Sequence, residues 1–454
     1  MALRARPAKR PAPGPSRGPA HLEKLVERVQ EAAADPKYAQ RKQMYTRHNR
    51  LEKVGKAPVC VHLHKGYRLV WQELIPPDTL ISQEPLERDI ELQLRQKLYK
   101  HDHIPDDEVL LPTVWITPVR PGEAGASPRL GPGASAEKPS SRDEHQTYGS
   151  RSRGEARLWG LPFQVRRTES PGGAYKVEPV VQSEADMAHM HHPTYEVGTQ
   201  ATRVLCERAT ELVGGRLPVK IAGDEVSASP SETMVSLMGI EAVLYGVIDR
   251  PAFIHKMMEF ITDGYIAYHR SREAAGAVDA EESWGFRTHY EELPPGVSPH
   301  RLTSSWWYIS AQSLAGLSPA MYEEFLQPYH ARLAEALADQ RVYYHGCEDL
   351  TKKIPIIRKL PHLRRFHVSP WTNLESAVAQ LDRQFVLETH VSYADVLYLQ
   401  KTPAQMREAV ERIMKIAGHC VLDVNLGDIE TVRGDPSVLT RWAQAAQDVT
   451  ARYA

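Results

Sequence analysis

The stretch Tyr343–Leu350, YYHGCEDL, brings together side chains that could do chemistry. His345 and Cys347 stand two positions apart directly after an apolar run, and Glu348 follows them. In an extended strand the two side chains of such a step point to the same side, because the strand period is two. Zinc binds neutral imidazole nitrogen and thiolate sulfur, and a catalytic zinc needs only three protein ligands. The stretch therefore predicts either part of a zinc site or the ordinary end of a buried strand.

Alternating helices and strands must position this stretch. From about residue 200 onward, short apolar strands alternate with helices, which is typical of parallel βα units. The strands predicted there are LPVKIAGD, RVYYHG, RRFHVS, QFVLETHV and HCVLDVNL. The expected fold is α/β, a (β/α)8 TIM-type barrel with an N-terminal helical extension, and a doubly wound open sheet is the alternative. The sequence contains no G-x-G-x-x-G, P-loop, G-x-S-x-G or H-E-x-x-H motif.

The helix TPAQMREAVERIMKIAG has the clearest predicted boundaries in the chain. Thr402 is expected to be its N-cap, with Pro403 in the first turn and Gln405 completing a capping box. Gly418 is expected to end it. Ser318 followed by Pro319 predicts a second helix start of the same kind.

Composition divides the chain into four parts. Residues 1–20 are basic and rich in Pro, Gly and Ala, which predicts a disordered tail. Residues 21–119 predict an N-terminal extension that opens with the amphipathic helix HLEKLVERVQEAAA. Residues 120–154 are rich in Gly, Ser, Pro and Arg, which predicts a flexible insertion. Residues 155–454 are expected to form the barrel.

The charge balance excludes some classes of partner. The 454 residues include 56 basic and 57 acidic ones, for a formal net charge of −1. No global field would recruit nucleic acid or an anionic membrane. We find neither an apolar run of about 18 residues nor a signal peptide, so a cytoplasmic protein is expected. The four cysteines are scattered and predict no disulfide framework.

In a barrel, the active face lies at the carboxyl ends of the strands. Glu388 and His390 end the strand QFVLETHV, so both are candidate ligands at this face. Ser369 ends RRFHVS. Cys420 begins its strand instead, and a rise of about 3.3 Å per residue puts it roughly 15 Å from the active face. It is expected to be a buried residue at the base of the barrel.

Four stretches of the chain resemble the uroporphyrinogen decarboxylase superfamily, in particular its decarboxylase-like branch and the zinc-dependent methyltransferases that share its fold. They are LERDIELQLRQKLYKHDHIPDD, LMGIEAVLYGVIDRPAFIHKMMEFITD, AQSLAGLSPAMYEEFLQPYHARL and YYHGCEDLTKKIPIIRKLPHLRRFHVSPWTNLESAVAQL. Together they span most of residues 85–454. The resemblance implies a (β/α)8 barrel. No arginine-rich substrate loop precedes residue 60, so a porphyrinogen decarboxylase is not expected.

The resemblance also implies a ligand set. In the zinc methyltransferases an H-x-C step supplies two zinc ligands, and His345 and Cys347 match that step. The later ligand positions differ here, because Ser369 stands where a glutamate could be expected and the last strand ends in NLGD rather than in a cysteine. His390 or Glu388 is therefore expected to supply the third ligand.

Three functions are compatible with these residues. The first is a zinc-dependent methyltransferase, which would pass a methyl group from a small methylated substrate to a corrinoid protein or a thiol. Glu348 would orient His345 or act as a general acid, and the substrate pocket would be lined by Gln312, Trp306 and Trp307. A corrinoid protein and a second copy of the chain are the candidate protein partners.

The second function is a metal-independent decarboxylase or lyase, in which Arg287 and His289 would hold and protonate a small carboxylated substrate. The third is a non-catalytic barrel that binds a ligand or a partner through the tail and the insertion. Loss of activity in Cys347→Ser is expected for the zinc enzyme and not for the lyase.

Overall fold

The computed structural model describes residues 19–63, 68–119, 159–161, 165–167, 175–195, 199–222, 229–281, 289–399 and 402–454. Within them the strands are β1 (Val59–Val61), β2 (Val114–Ile116), β3 (Val165–Arg167), β4 (Tyr175–Val177), β5 (Val219–Ile221), β6 (Trp307–Ile309), β7 (Val342–Tyr344), β8 (Leu363–Val368), β9 (Val386–Val391) and β10 (Leu422–Leu426). Residues 1–18 of the predicted tail and the predicted insertion 120–154 lie outside the described residues.

Helices separate most of these strands. They are α1 (Ala20–Ala33), α2 (Pro36–Asn49), α3 (Arg68–Leu74), α4 (Pro85–His103), α5 (Glu184–Met187), α6 (Thr199–Leu212), α7 (Pro230–Met238), α8 (Ile240–Asp249), α9 (Pro251–Ala274), α10 (Pro319–Phe325), α11 (Gln327–Leu337), α12 (Ile354–Ile357), α13 (Leu374–Leu381), α14 (Tyr393–Tyr398), α15 (Pro403–Ala417) and α16 (Ser437–Thr450). Short 3-10 turns lie at Pro77–Thr79, Leu302–Ser304, Gln312–Leu314 and Ala451–Tyr453.

The local sequence signals for helix ends are confirmed. Thr402 caps α15 through a complete capping box with Gln405, and Gly418 is its C-cap. The Ser318 hydroxyl accepts a hydrogen bond from the backbone N–H of Met321 at the start of α10. Each cap satisfies amide groups that have no partner inside the helix, which fixes where the helix begins.

A six-stranded parallel sheet organises the molecule, in the order β1-β10-β9-β8-β7-β6. A separate parallel pair joins β2 to β5, and an antiparallel pair joins β3 to β4. The expected α/β class is therefore confirmed. In the described ranges no strand ladder links β1 to β2 or β5 to β6, so these residues form an open sheet and not a closed ring.

The N-terminal region contributes strands to this architecture. β1 lies in PVCVHLH, which the sequence did not predict as a strand, and it pairs in parallel with β10. β2 lies in the same region and pairs with β5. Within the described residues, strands from the segment 21–119 thus pair with strands from the segment predicted to form the barrel.

One face of the six-stranded sheet is polar. Register pairs Tyr343 with Arg365, His367 with Glu388, and Glu388 with Asp423. Because successive side chains alternate between faces, the residues between these pack into the main hydrophobic core, as Tyr344, Phe366 and Val424 do. We call the other surface the polar face, and its members are Tyr343, His345, Arg365, His367, Glu388, His390, Asp423 and Asn425.

The segment from Pro230 to Ala274 contains three helices, and one of the breaks between them directly precedes Pro251. The other break is at Gly239, whose φ of +80° favours glycine over other residues. A Cβ there would also lie 2.9 Å from Cγ of Pro179. None of the described helices alone is long and apolar enough to cross a membrane. α7 and α8 pass that test only as a pair bent by 102°, on length and composition.

Candidate metal centre

His345 and Cys347 converge where β7 ends. Nε2 of His345 lies 3.1 Å from Sγ of Cys347. The backbone N–H of His345 donates to the carbonyl of Ile309 at 2.9 Å, which extends the β6–β7 pairing to this residue. His345 thus continues the strand on the polar face, and Cys347 meets it from the bend that follows. The predicted convergence of the H-x-C step is confirmed.

The third residue of this cluster is His367. One ligand atom each from His345, Cys347 and His367 lies within 4.8 Å of the others, and all three residues are buried or half-buried. His367 was not among the sequence candidates, which stopped at the strand's last residue, Ser369. The same period of two places residues 367 and 369 on one face, so the signal was present in RRFHVS. We call His345, Cys347 and His367 the metal triad.

The predicted third ligands lie one strand further along. Glu388 and His390 form a second group with His367, again with ligand atoms within 4.8 Å of one another. The Glu388 carboxylate is already engaged, because Oε1 accepts from Tyr343 at 2.6 Å and lies 3.1 Å from Nε2 of His390. Its Oε2 accepts two hydrogen bonds from Arg365, at 3.1 and 2.7 Å. Glu388 therefore supports its neighbours and has little capacity left for a metal.

A buried ionic network lies beneath the triad. The Arg365 side chain is fully buried and forms ion pairs with Glu388 and Asp423. Its Nη1 also donates to Oδ1 of Asn49 at 2.8 Å. Burial would raise the pKa of Glu388, but the Arg365 charge and hydrogen bonds from neighbouring histidines hold it well below its usual range. Burial would also raise the pKa of Asp423, but the positive charge of Arg365 lowers it.

Burial also sets the protonation of His345 and Cys347. Together with the adjacent His367 and His390, it lowers the pKa of His345 well below its usual value, so the imidazole is neutral. Burial raises the pKa of the Cys347 thiol, and the negative charges of Asp428 and Glu348 add to the effect. The thiol is therefore protonated unless a cation beside it supplies compensating charge.

The structure separates the two adjacent tryptophans. Trp306 is half-buried, and its ring stacks on His289 with centroids 4.9 Å apart. Trp307 is 1% exposed, belongs to the main core, and donates from Nε1 to the carbonyl of Leu302 at 3.0 Å. Neighbouring strand residues face opposite sides, so Trp307 does not line a pocket as the sequence analysis expected.

The other predicted pocket residues have different surroundings. Gln312 begins a 3-10 turn after β6, and its side chain interacts with the Cys347 thiol, where it opposes the effect of burial on the thiol pKa. His289 lies beneath the site, with Nε2 3.7 Å from Oε2 of Glu388. Burial lowers the pKa of His289 to about 4. Arg287 lies outside the described residues.

Glu348 does not orient His345. Nδ1 of His345 lies 2.7 Å from the Tyr343 hydroxyl, on the polar face. The Glu348 carboxylate turns back over Gly346, where an added Cβ would lie 2.7 Å from Oε2. Both Glu348 carboxylate oxygens are buried, with no hydrogen-bond partner in the described residues, and burial raises the pKa of the group.

Glu348→Gln is expected to stabilise the protein at alkaline pH. A folded-state pKa above the unfolded one means that stability is present at low pH and lost as the pH rises through the folded value. Glutamine does not ionise. The free energy of unfolding of Glu348→Gln should therefore equal that of the wild type near pH 4 and exceed it by roughly 1–2 kcal/mol at pH 8. Urea unfolding across this range measures the difference. Glu408→Gln, on the exposed face of α15, is the control and should show no such trend.

Two other groups could also hold a cation by spacing alone. In one, Cys60 lies with Asp106 and Glu108, but the Lys100 ammonium already occupies the site, 2.5 Å from Asp106 and 2.8 Å from Glu108. The other joins Cys420 to two exposed side chains, Asp382 and His419. Cys420 is 2% exposed, at the amino end of β10, as the sequence predicted.

Comparison with known proteins finds a partial match to one family and a similar fold. The family model described as uroporphyrinogen decarboxylase (URO-D) matches residues 308–446, which contain the metal triad. The predicted resemblance is confirmed for this C-terminal part. A methyltransferase from Methanosarcina mazei has a similar structure, with a TM-score of 0.52 and 11% identity, over 90% of this chain and 98% of that one. At this identity the likeness concerns the fold alone. No curated protein matches the chain.

Proposed function

We propose that this chain, which is similar to the URO-D family over residues 308–446, is a zinc-dependent methyltransferase. The observation that carries the proposal is the metal triad, two imidazoles and a thiol that converge at the carboxyl ends of adjacent parallel strands. The structural neighbour, a methyltransferase, shares the fold, and the choice of reaction rests on the chemistry of the triad. The methyl donor would be a small molecule, and the acceptor a corrinoid protein or a thiol.

The triad fits zinc in donor type, number and spacing. Zinc prefers nitrogen at about 2.0–2.1 Å and sulfur at about 2.3 Å, which separates ligands of a tetrahedral site by about 3.5 Å. The observed separation of His345 Nε2 and Cys347 Sγ is 3.1 Å, so a small outward shift accommodates the ion. Three protein ligands leave the fourth position to a substrate, as in catalytic zinc sites.

Zinc at this position would supply Lewis acidity toward a heteroatom of the methylated substrate or of the acceptor. The protein's own residues would bind and orient the reactants. Trp306 has a buried N–H group without a hydrogen-bond partner in the described residues, which is costly unless a ligand or water satisfies it. The Gln312 side chain interacts with the Cys347 thiol, so these two residues are the proposed substrate contacts.

We also propose that the complete chain forms the (β/α)8 barrel expected from the sequence. The parallel pair β2–β5 lies in chain order between β1 and β6, the two edges of the six-stranded sheet. Inserting it there gives eight parallel strands in the order of the chain. The hydrogen bond from the backbone N–H of Asp107 to the carbonyl of Val59, at 2.7 Å, supports the contact on the β1 side.

The lyase alternative has less support. It needs a cation to hold a carboxylate, and His289 is neutral at physiological pH because burial lowers its pKa to about 4. Arg365 is enclosed by Glu388 and Asp423 and is fully buried, so it cannot reach a substrate. Neither described side chain provides the required charge.

Metal analysis tests the proposed function. Protein purified without chelator is expected to contain about one zinc per chain, and Cys347→Ser to contain much less. Cys206→Ser is the matched control, because Cys206 is also a half-buried free cysteine and belongs to none of the candidate metal groups of the described residues. A wild-type protein that neither carries zinc nor binds added zinc would overturn the proposal, as would a Cys347→Ser variant with unchanged zinc content.

A further inference from the structure

The hydroxyl of Tyr343 lies at the centre of the site. It is 2.7 Å from Nδ1 of His345, 3.0 Å from Nδ1 of His367 and 2.6 Å from Oε1 of Glu388. The side chain is fully buried in β7, one position before Tyr344. A single oxygen atom thus joins two of the three members of the metal triad to the ionic network below.

The direction of each of these three hydrogen bonds can be assigned. A phenol offers one proton and two lone pairs. The Glu388 carboxylate is ionised beside Arg365 and only accepts, so the hydroxyl proton points to Oε1. The hydroxyl must then accept from both imidazoles, and each Nδ1 must carry a hydrogen.

A neutral imidazole with a hydrogen on Nδ1 has its lone pair on Nε2. Nε2 of His345 is the atom that lies beside Cys347 Sγ. We infer that Tyr343 is a positioning residue that holds His345 and His367 in the tautomer that presents Nε2 to a metal. The inference rests on the proposed zinc site, and it extends the ligand set to a hydrogen-bonded chain from Arg365 through Glu388 and Tyr343 to the two histidines.

Tyr344 provides a matched control. It is also fully buried in β7, but it faces the opposite side of the sheet and packs against Phe366 and Tyr322. Removing either hydroxyl leaves a phenylalanine of nearly the same volume. A general effect of losing a buried hydroxyl should therefore occur in both variants, whereas an effect on the triad should occur only in Tyr343→Phe.

The first measurement is zinc affinity, by competition with a chelating dye, at a temperature where all proteins are folded. Loss of a residue that orients metal ligands typically weakens metal binding about 10–100-fold. We expect this loss in Tyr343→Phe and an affinity within about threefold of wild type in Tyr344→Phe. Equal affinities in wild type and Tyr343→Phe would overturn the inference while leaving the proposed zinc site intact.

The second measurement is the nitrogen-15 spectrum of the histidines in the metal-free protein. We expect wild type and Tyr344→Phe to show two buried imidazoles with hydrogen on Nδ1, and Tyr343→Phe to lose this pattern. This spectrum decides the inference even if Tyr343→Phe does not fold, because wild-type imidazoles with hydrogen on Nε2 would overturn it. If wild type binds no zinc, the proposed function fails and the spectrum alone tests the role of Tyr343.

Discussion

Arg365→Met is expected to lower the free energy of unfolding by about 3–5 kcal/mol, the range seen when one partner of a buried ion pair is removed. The guanidinium is fully buried between Glu388 and Asp423, and it is the cation that keeps both carboxylates ionised. Without it, two like charges remain in a space that excludes water. Urea unfolding at pH 7 measures the loss.

The control for this variant is the preceding residue in the same strand. Arg364 is half-buried and donates to Gln340 at the edge of the molecule, so Arg364→Met should change stability by about 0.5 kcal/mol or less. The pH dependence has a defined sign. Carboxyl groups with lowered pKa contribute stability above their unfolded pKa and lose it as the pH falls, so the deficit of Arg365→Met should shrink below about pH 4. A deficit under about 1 kcal/mol at pH 7 would contradict the assigned network.

His367→Gln is expected to weaken zinc binding by at least about 100-fold, because structural and catalytic zinc sites derive several kcal/mol from each ligand. His390→Gln should weaken it by about tenfold or less. His390 is buried next to His367, with ring centroids 4.2 Å apart, so the two variants remove the same group from nearly the same place. Dye competition measures both affinities, and thermal unfolding shows whether each variant is folded.

The comparison decides between two ligand sets. The structure supports His367, whereas the sequence predicted His390 or Glu388. A larger loss of zinc affinity in His390→Gln than in His367→Gln would show that the third ligand lies on β9. Equal and small losses would mean that neither histidine binds the ion, and the proposal of a zinc site would then rest on His345 and Cys347 alone.

The sequence correctly predicted structural features that are determined by residues close together in the chain. The caps of α15 and α10 follow from hydrogen bonds within one helical turn, and the convergence of His345 and Cys347 follows from the strand period. The same strand period explains two differences from the prediction. Trp307 was expected to line a pocket and lies in the core, and His367 was not predicted as a ligand. His367 is the residue before the last in β8, and the strand period places it on the polar face and Trp307 in the main core.

Other features depend on pairing between distant parts of the chain. β1 has only three residues, too few for a clear sequence pattern, and it is recognised as a strand by its pairing with β10. The chain from Arg365 to the two imidazoles joins residues on three strands, and its proton count needs distances that no single stretch contains. Sequence patterns indicate which face a side chain takes. They do not indicate which of several acceptors it reaches.

The pairing of β1 with β10 has a consequence for how the protein is made. The hydrogen-bonded side chains of His62 and Asn425 are 363 residues apart, so β1 leaves the ribosome long before its partner is synthesised. Until then its edge has unpaired backbone groups, which is the condition under which nascent chains aggregate. Closing so long a loop costs entropy that only the finished sheet repays. Truncations that remove β10 should therefore yield insoluble protein even though α1, α2 and β1 are intact.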